Sequence, residues 1–110
     1  MARAAIPITQ ITRSGVAPAA ETTGDPANNH TLANNGGVWL LARNSNGAST
    51  ARTLTVHLNR TIDGQAVASR TYSIPAAASR YIGPFPTGDY GRSVLVDVDN
   101  AELKLSAYKL

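Results

Sequence analysis

The chain has 110 residues, 43% hydrophobic and 15% charged, with no cysteine and a formal net charge of +3. That length holds one domain with an ordinary core. The missing cysteine excludes disulfides and thiolate metal sites, and no run approaches the ~18 apolar residues of a membrane helix.

The basic balance does not by itself indicate a nucleic-acid site. Arg3, Arg13, Arg43, Arg52, Arg60, Arg70, Arg80 and Arg92 are strung out singly, with no cluster. Eight arginines against two lysines fit protein interfaces, where the guanidinium forks onto carboxylates and carbonyls, and fit codon bias equally well. The first ten residues, MARAAIPITQ, hold no apolar signal-peptide core, so folding in a cytoplasm is expected.

Ile6-Pro7-Ile8-Thr9-Gln10-Ile11-Thr12 predicts a short strand that its proline confines to a sheet edge. Residues 13–37 are mostly small, polar and turn-forming, with Thr31-Leu32-Ala33 as a brief strand candidate. So long a segment is either functional or a surface loop, and here it is expected to be an arm reaching a neighbouring subunit. Val38-Trp39-Leu40-Leu41-Ala42-Arg43 is apolar on both faces, as a central strand would be, and Asn44-Ser45-Asn46-Gly47 turns the chain. Leu54, Val56 and Leu58 alternate with Thr53, Thr55 and His57. After the Asp63-Gly64 turn, Tyr72 and Ile74, then Tyr81 and Ile82, give two more strands, the second stopped by Gly83-Pro84-Phe85-Pro86.

Val94, Val96 and Val98 resume a period of two. With Asn100-Ala101 as a two-residue loop, Val98 would face Leu103, Val96 Leu105 and Val94 Ala107, while Asp97 meets Lys104. No window carries a helical stripe. The expected fold is all-β: a single-domain, two-sheet antiparallel β-sandwich, immunoglobulin-like or jelly-roll, with an extended N-terminal segment. Residues 1–37 form the edge strand and arm, and residues 38–110 the sandwich body. Its core is drawn from Val38, Leu40, Leu54, Val56, Leu58, Ile74, Ile82, Val94, Val96, Val98, Leu103 and Leu105.

Little reactive chemistry is written in the chain. Asp97, Asp99 and Glu102 put three carboxylates around one turn, a candidate calcium site, although the spacing is not that of the helix-loop-helix calcium loop. The plainer reading gives Asp97 to Lys104 and leaves the other two solvated. His30 and His57 are the two histidines, too few for zinc without cysteine. There is no Gly-x-Ser-x-Gly elbow, and His57 is expected at the surface beside Trp39 or Thr55. No enzyme activity, no cofactor and no obligatory metal are expected. The aromatic residues are either core or a sugar-stacking platform. Phe85, held between two prolines, either plugs the sandwich end or protrudes toward a partner.

Several segments also carry a resemblance. These are Val38-Trp39-Leu40 with Arg43-Asn44, Gly47-Ala48-Ser49, Ile62-Asp63-Gly64 with Ala66-Val67-Ala68 and Arg70, and Ile74-Pro75-Ala76. Ile82-Gly83-Pro84-Phe85-Pro86 with Tyr90 is the most specific, and Ile11 to Val16 fits as an opening. In them the chain, from about Gly37 to Leu110, resembles small structural proteins of tailed-bacteriophage virions. The resemblance implies a head decoration (cement) protein, bound in symmetric copies, or as a homo-oligomer, to the lattice of the major capsid protein on the virion surface, without membrane or specific nucleic acid. A head–tail connector, a tail protein and a carbohydrate-binding adhesion module are the alternatives. Ile11, Arg13, Val16, His30, Leu32, Phe85 and Tyr90 are the candidate partner-binding residues.

Overall fold

Side chains that alternate between apolar and polar give each strand one face that must leave water, and two sheets packed face to face achieve this. The structure, a computed structural model, describes residues 3–110, so the first two residues of the expected N-terminal segment lie outside it. Its strands are β1 (Ala4–Ala5), β2 (Ile8–Gln10), β3 (Thr22–Thr23), β4 (His30–Ala33), β5 (Val38–Asn44), β6 (Arg52–Val56), β7 (Thr61–Ile62), β8 (Gln65–Ala66), β9 (Arg70–Ile74), β10 (Ser79–Ile82), β11 (Ser93–Val98) and β12 (Leu103–Lys109). One helical turn, α1 (Thr87–Tyr90), precedes β11.

One sheet runs β1-β4-β11-β6-β9 and the other β10-β5-β12-β2, with β3 sharing the β12 edge. Leaving aside the short β1, β3 and the β7–β8 hairpin, the eight remaining strands pair from the outside inward. The first joins the last (β2–β12), the second the seventh (β4–β11), the third the sixth (β5–β10) and the fourth the fifth (β6–β9), alternating between sheets. That nesting is the jelly-roll order. It is a β-sandwich as the alternation predicts, but its sheets are mixed: β1 runs parallel to β4, and β2 parallel to β12. The chain changes sheets between these two strands at Ile6-Pro7, with Ile6 buried in the core. Proline ends the first pairing because it has no N–H to donate.

The expected C-terminal hairpin does not form. β11 pairs with β4 and β6, whereas β12 pairs with β5, β2 and β3. Val94, Val96 and Val98 do face Leu103, Leu105 and Ala107 across the buried core, but from opposite sheets. Period-two alternation fixes which face is buried and is silent on which neighbour supplies the hydrogen bonds. Residues 99–102 turn the corner between sheets, with the Asn100 side chain accepting the Glu102 N–H. Asp97 therefore lies opposite Thr55 and Lys104 opposite Arg43, and the expected Asp97–Lys104 pair is not made.

Nor is residues 13–37 a separate arm. β4 sits inside a sheet, between β1 and β11, and buries His30 and Leu32. What remains of the arm is the excursion between β2 and β3, residues 11–21. It leaves one half of the β12 edge, crosses the outer face of that sheet and returns to the other half. The Ala19 N–H donates to the Tyr108 hydroxyl at 3.2 Å, and the Glu21 carboxylate takes the Arg43 guanidinium in two bonds of 2.7 and 2.9 Å. Ser106, on the outward side of β12 between these fastenings, is buried.

The expected core residues are buried together, Leu58 only partly, and Ile6, Leu32, Ala42, Phe85, Tyr90 and Ala107 join them. Two buried asparagines close the ends. At the upper rim, Asn34 donates to the carbonyls of Phe85 and Gly91 at 2.8 and 2.9 Å. At the lower rim, Asn44 donates to those of Thr50 and Ile74 at 3.0 and 2.9 Å.

Candidate functional site

The three carboxylates proposed for calcium are each committed elsewhere. Asp97 bonds Arg3 and His57, Asp99 accepts the Thr53 N–H, and Glu102 takes Arg52 and the Asn46 amide. Among the described residues no group of three metal-ligating side chains converges. Asp97 and Asp99 share the same parity along the chain; what keeps the three apart is the corner, since Glu102 already lies past the turn, and the separate donors that each carboxylate takes.

The carboxyls of Asp97 and Glu102, and that of Glu21, are held in their charged form. Burial opposes ionisation of Asp97, but hydrogen bonds from His57 and Arg3 outweigh it and keep the carboxyl below its usual range. The Asn46 amide and then Arg52 do the same for Glu102, and Arg43 for Glu21. A carboxyl with a depressed folded-state pKa adds stability that is fully present above its unfolded value, near 4, and is lost as pH falls through the folded value. The melting temperature should therefore hold between about pH 5 and 7 and fall progressively below about pH 4. Asp97→Asn should flatten that acid limb, which thermal melts across the range will show.

Four of the candidate partner-binding residues are core. Phe85 turns inward after Pro84 and meets Tyr90 edge-on, with ring centroids 5.2 Å apart, so the Gly-Pro-Phe-Pro element plugs the upper end rather than protruding. Gly83 makes the approach possible. Its φ is +131°, and a Cβ there would lie 3.0 Å from the Trp39 Cα. Leu32 is buried through β4. His30, buried beside it, accepts the Asp25 N–H at Nε2 and meets the Ala4 carbonyl at Nδ1, an arrangement that one neutral tautomer satisfies. Ile11 at 37% and Val16 at 42% exposure, with Arg13, remain at the surface.

Two of those survivors, Ile11 and Val16, border an apolar concavity of the surface. The inward turn of Val38 and Leu40 sends Trp39 to the outer face of its sheet, where register places Tyr108 beside it. The two rings stack with centroids 6.0 Å apart and planes 23° apart. On the other side, β10 is the sheet edge and presents Tyr81, 73% exposed. Trp39 and Tyr81 separate two hollows. One, of about 320 Å³, lies between these rings and Ile11, Val16 and Pro18 of the crossing segment. The other, of about 420 Å³, is walled by Gly36, Gly37, Pro84 and Leu110. Apolar rings half in water, with few polar atoms to satisfy, are suited to holding apolar side chains of another protein.

A second arrangement is polar. The Ser69 hydroxyl lies 2.7 Å from His57 Nδ1, and His57 Nε2 lies 2.7 Å from Asp97 Oδ2. A hydroxyl, an imidazole and a carboxylate in line are the constellation in which an imidazole, oriented by the carboxylate, takes the hydroxyl's proton. Here the carboxylate also holds Arg3, and the nearby hollow of about 200 Å³ is bordered by His57, Leu58 and Leu95 rather than by Ser69. The string fastens Arg3, at the chain's beginning, onto β11. His57 is thus remote from Trp39, which belongs to the other sheet.

Comparison with protein families, characterised proteins and solved structures returns no match. Leu110 escaped the sequence reading, which held Tyr81 and Tyr108 only among the aromatic residues that are either core or a sugar-stacking platform and did not name them as partner-binding. Their signal was the outward parity of Trp39, which gains meaning only once β10 and β12 are known to flank β5.

Proposed function

We propose that this chain is a non-enzymatic structural protein of a tailed-phage virion, a decoration protein that docks on the head lattice in many copies and stabilises it. The observation that carries the docking role is the Trp39–Tyr81–Tyr108 groove on the outer sheet face. The sequence resemblance supplies the phage context, and the jelly-roll sandwich is an architecture shared by capsid and lectin domains, which is support by analogy. Each copy needs only a modest contact, because many copies engaging one closed shell add their contributions.

The test compares heads assembled with and without the protein. Tyr81 is largely exposed, so Trp39→Ala with Tyr81→Ala should leave the isolated domain folded while weakening head binding by about 2 kcal/mol or more, roughly thirtyfold, as loss of central aromatic anchors does. Wild-type protein should raise the heat resistance of heads. Finding it at the neck or tail tip, with undecorated heads equally resistant, would overturn the decoration role.

The stacked Trp39–Tyr108 pair also favours a second reading, adhesion to glycans. Saturable glycan-array binding that is lost on Trp39→Ala would establish it. Tyr90→Ala is no use here, since Tyr90 is core.

A further inference from the structure

Charge is divided unevenly along the strands. The lower half, toward the 24–29, 44–51 and 99–102 turns, holds Arg3, Arg43, Arg52, Arg80 and Lys104 with Glu21, Asp25, Asp97, Asp99 and Glu102. Five bases and five acids leave it neutral, and Arg3, Arg43 and Arg52 are each in an ion pair there. The upper half holds Arg13, Arg60, Arg70, Arg92 and Lys109 with Asp63 and Asp89. Five bases and two acids leave +3, which is the whole net charge of the chain. Arg60 is paired with Asp89, whereas Arg13, Arg70, Arg92 and Lys109 form no ion pair among the described residues.

Three of these unpaired cations, Arg13, Arg92 and Lys109, lie along the upper rim that borders the groove, Lys109 on the inward side of its strand with Val38. Arg13 lies between Ile11 and Val16, which wall one hollow, and Lys109 precedes Leu110, which walls the other. The Asn34–Gly37 loop has the second hollow on one side and a further hollow bordered by Arg92 and Lys109 on its other side. Apolar wells beside a rim of cations without ion-pair partners are complementary to an apolar segment flanked by carboxylates.

We infer that the upper rim and the Trp39–Tyr81 groove bind an acidic protein segment that places apolar side chains in the two hollows. This rests on the docking role above and names its partner's chemistry. A second copy of the chain is a poor occupant. A two-fold contact through this face sets the upper rim either on its own image, where like charges meet, or on the neutral lower half, where the rim finds no net counter-charge. Nucleic acid would answer the charge but not the hollows, whose walls are largely apolar.

The experiment uses the full chain with three probes: undecorated heads, a synthetic peptide alternating glutamate with leucine, and the same peptide with lysine in place of glutamate. The acidic peptide should bind and the lysine peptide should not. Head binding should weaken at least tenfold between about 0.05 and 0.5 M salt as the rim charges are screened. Arg13→Glu, Arg92→Glu and Lys109→Glu together should weaken binding of heads and acidic peptide at least tenfold without lowering the melting temperature, and should invert the salt dependence, because the upper half then repels carboxylates. Lys104→Gln, in the neutral half, should change neither. Head binding indifferent to salt and to the triple reversal would overturn this inference and leave the docking role standing. Failure to bind heads, with the acidic peptide still preferred and still lost in the triple variant, would do the reverse. Three other results would each overturn the acidic partner: equal binding of both peptides, preference for a DNA duplex, or a dimer in light scattering that Tyr81→Ala dissociates.

Discussion

Val96→Asp should leave no folded protein. Val96 is fully buried at the centre of its sheet, in register with His30 on one side and Val56 on the other. A carboxylate there has no cation to meet. The His30 ring already faces the Asp25 N–H and the Ala4 carbonyl, and the other neighbours are aliphatic. An unpaired buried charge costs several kcal/mol even after relaxation, against a total stability of about 5–15 kcal/mol for a domain. Losing the packed valine adds a further share. Far-ultraviolet circular dichroism should show a disordered chain, and expression should yield inclusion bodies. Leu95→Asp is the control: it lies on the same strand, faces outward and is 38% exposed, so it should melt within a few degrees of the wild type. A cooperative, near-native melt for the Val96 variant would mean that β11 does not occupy the middle of the sandwich.

That contrast also measures what the sequence made legible. The faces were readable, because Val94, Val96, Val98, Leu103 and Leu105 alternate with polar neighbours at every position but Leu95. The partners were not. Joining β11 to β12 as a hairpin matched apolar to apolar and acid to base, and local pairing rules favoured it. Packing two faces of a sandwich needs the chain to cross between sheets, however, and nothing local distinguishes a corner at Asn100 from a hairpin turn there. The same limit left β4 as no more than the brief candidate Thr31-Leu32-Ala33, with its place inside a sheet unread. His30 and Leu32 are its two inward residues, too few to register as a period among small polar neighbours.

The groove was hidden for a related reason. Trp39 is in plain view in the sequence, yet a strand apolar on both faces reads as buried on both. Tyr81 and Tyr108 lie 42 and 69 positions further on, and only the order β10-β5-β12 sets all three rings side by side. Phe85 shows the converse. Its flanking prolines correctly announced a fixed segment, but rigidity does not say whether a ring points into the core or out of it.

Asn44→Asp should be nearly as damaging as the core charge, and its deficit should depend on pH in a diagnostic way. Asn44 ends β5, is fully buried and stitches the lower rim with one side chain. Its NH₂ group donates to Thr50 and Ile74, its carbonyl accepts the Asn46 N–H at 2.9 Å, and its own backbone N–H reaches Ala78. Aspartate keeps the shape and reverses the chemistry. An ionised carboxylate turns an oxygen toward two carbonyl oxygens, and the protonated form can donate to only one of them. Folding should cost about 3–5 kcal/mol more at pH 7, which for a domain of this size lowers the melting temperature by roughly 15–30 °C. The variant's carboxyl has its folded pKa raised above the unfolded value, because burial and the facing carbonyls disfavour the charge. Its penalty is therefore complete above the folded pKa and shrinks as pH falls toward the unfolded value near 4. The wild type loses stability in the same acid range through Asp97 and Glu102, so the quantity to follow is the difference between the two curves. That difference should narrow on acidification without vanishing, since one carbonyl stays unpaired throughout. Asn44→Ala removes the donors without adding a charge, so it should show a smaller deficit that does not change with pH. Equal deficits for the two variants at every pH would place Asn44 in contact with water and deny it the role of clasp between β5 and the start of the β9–β10 turn.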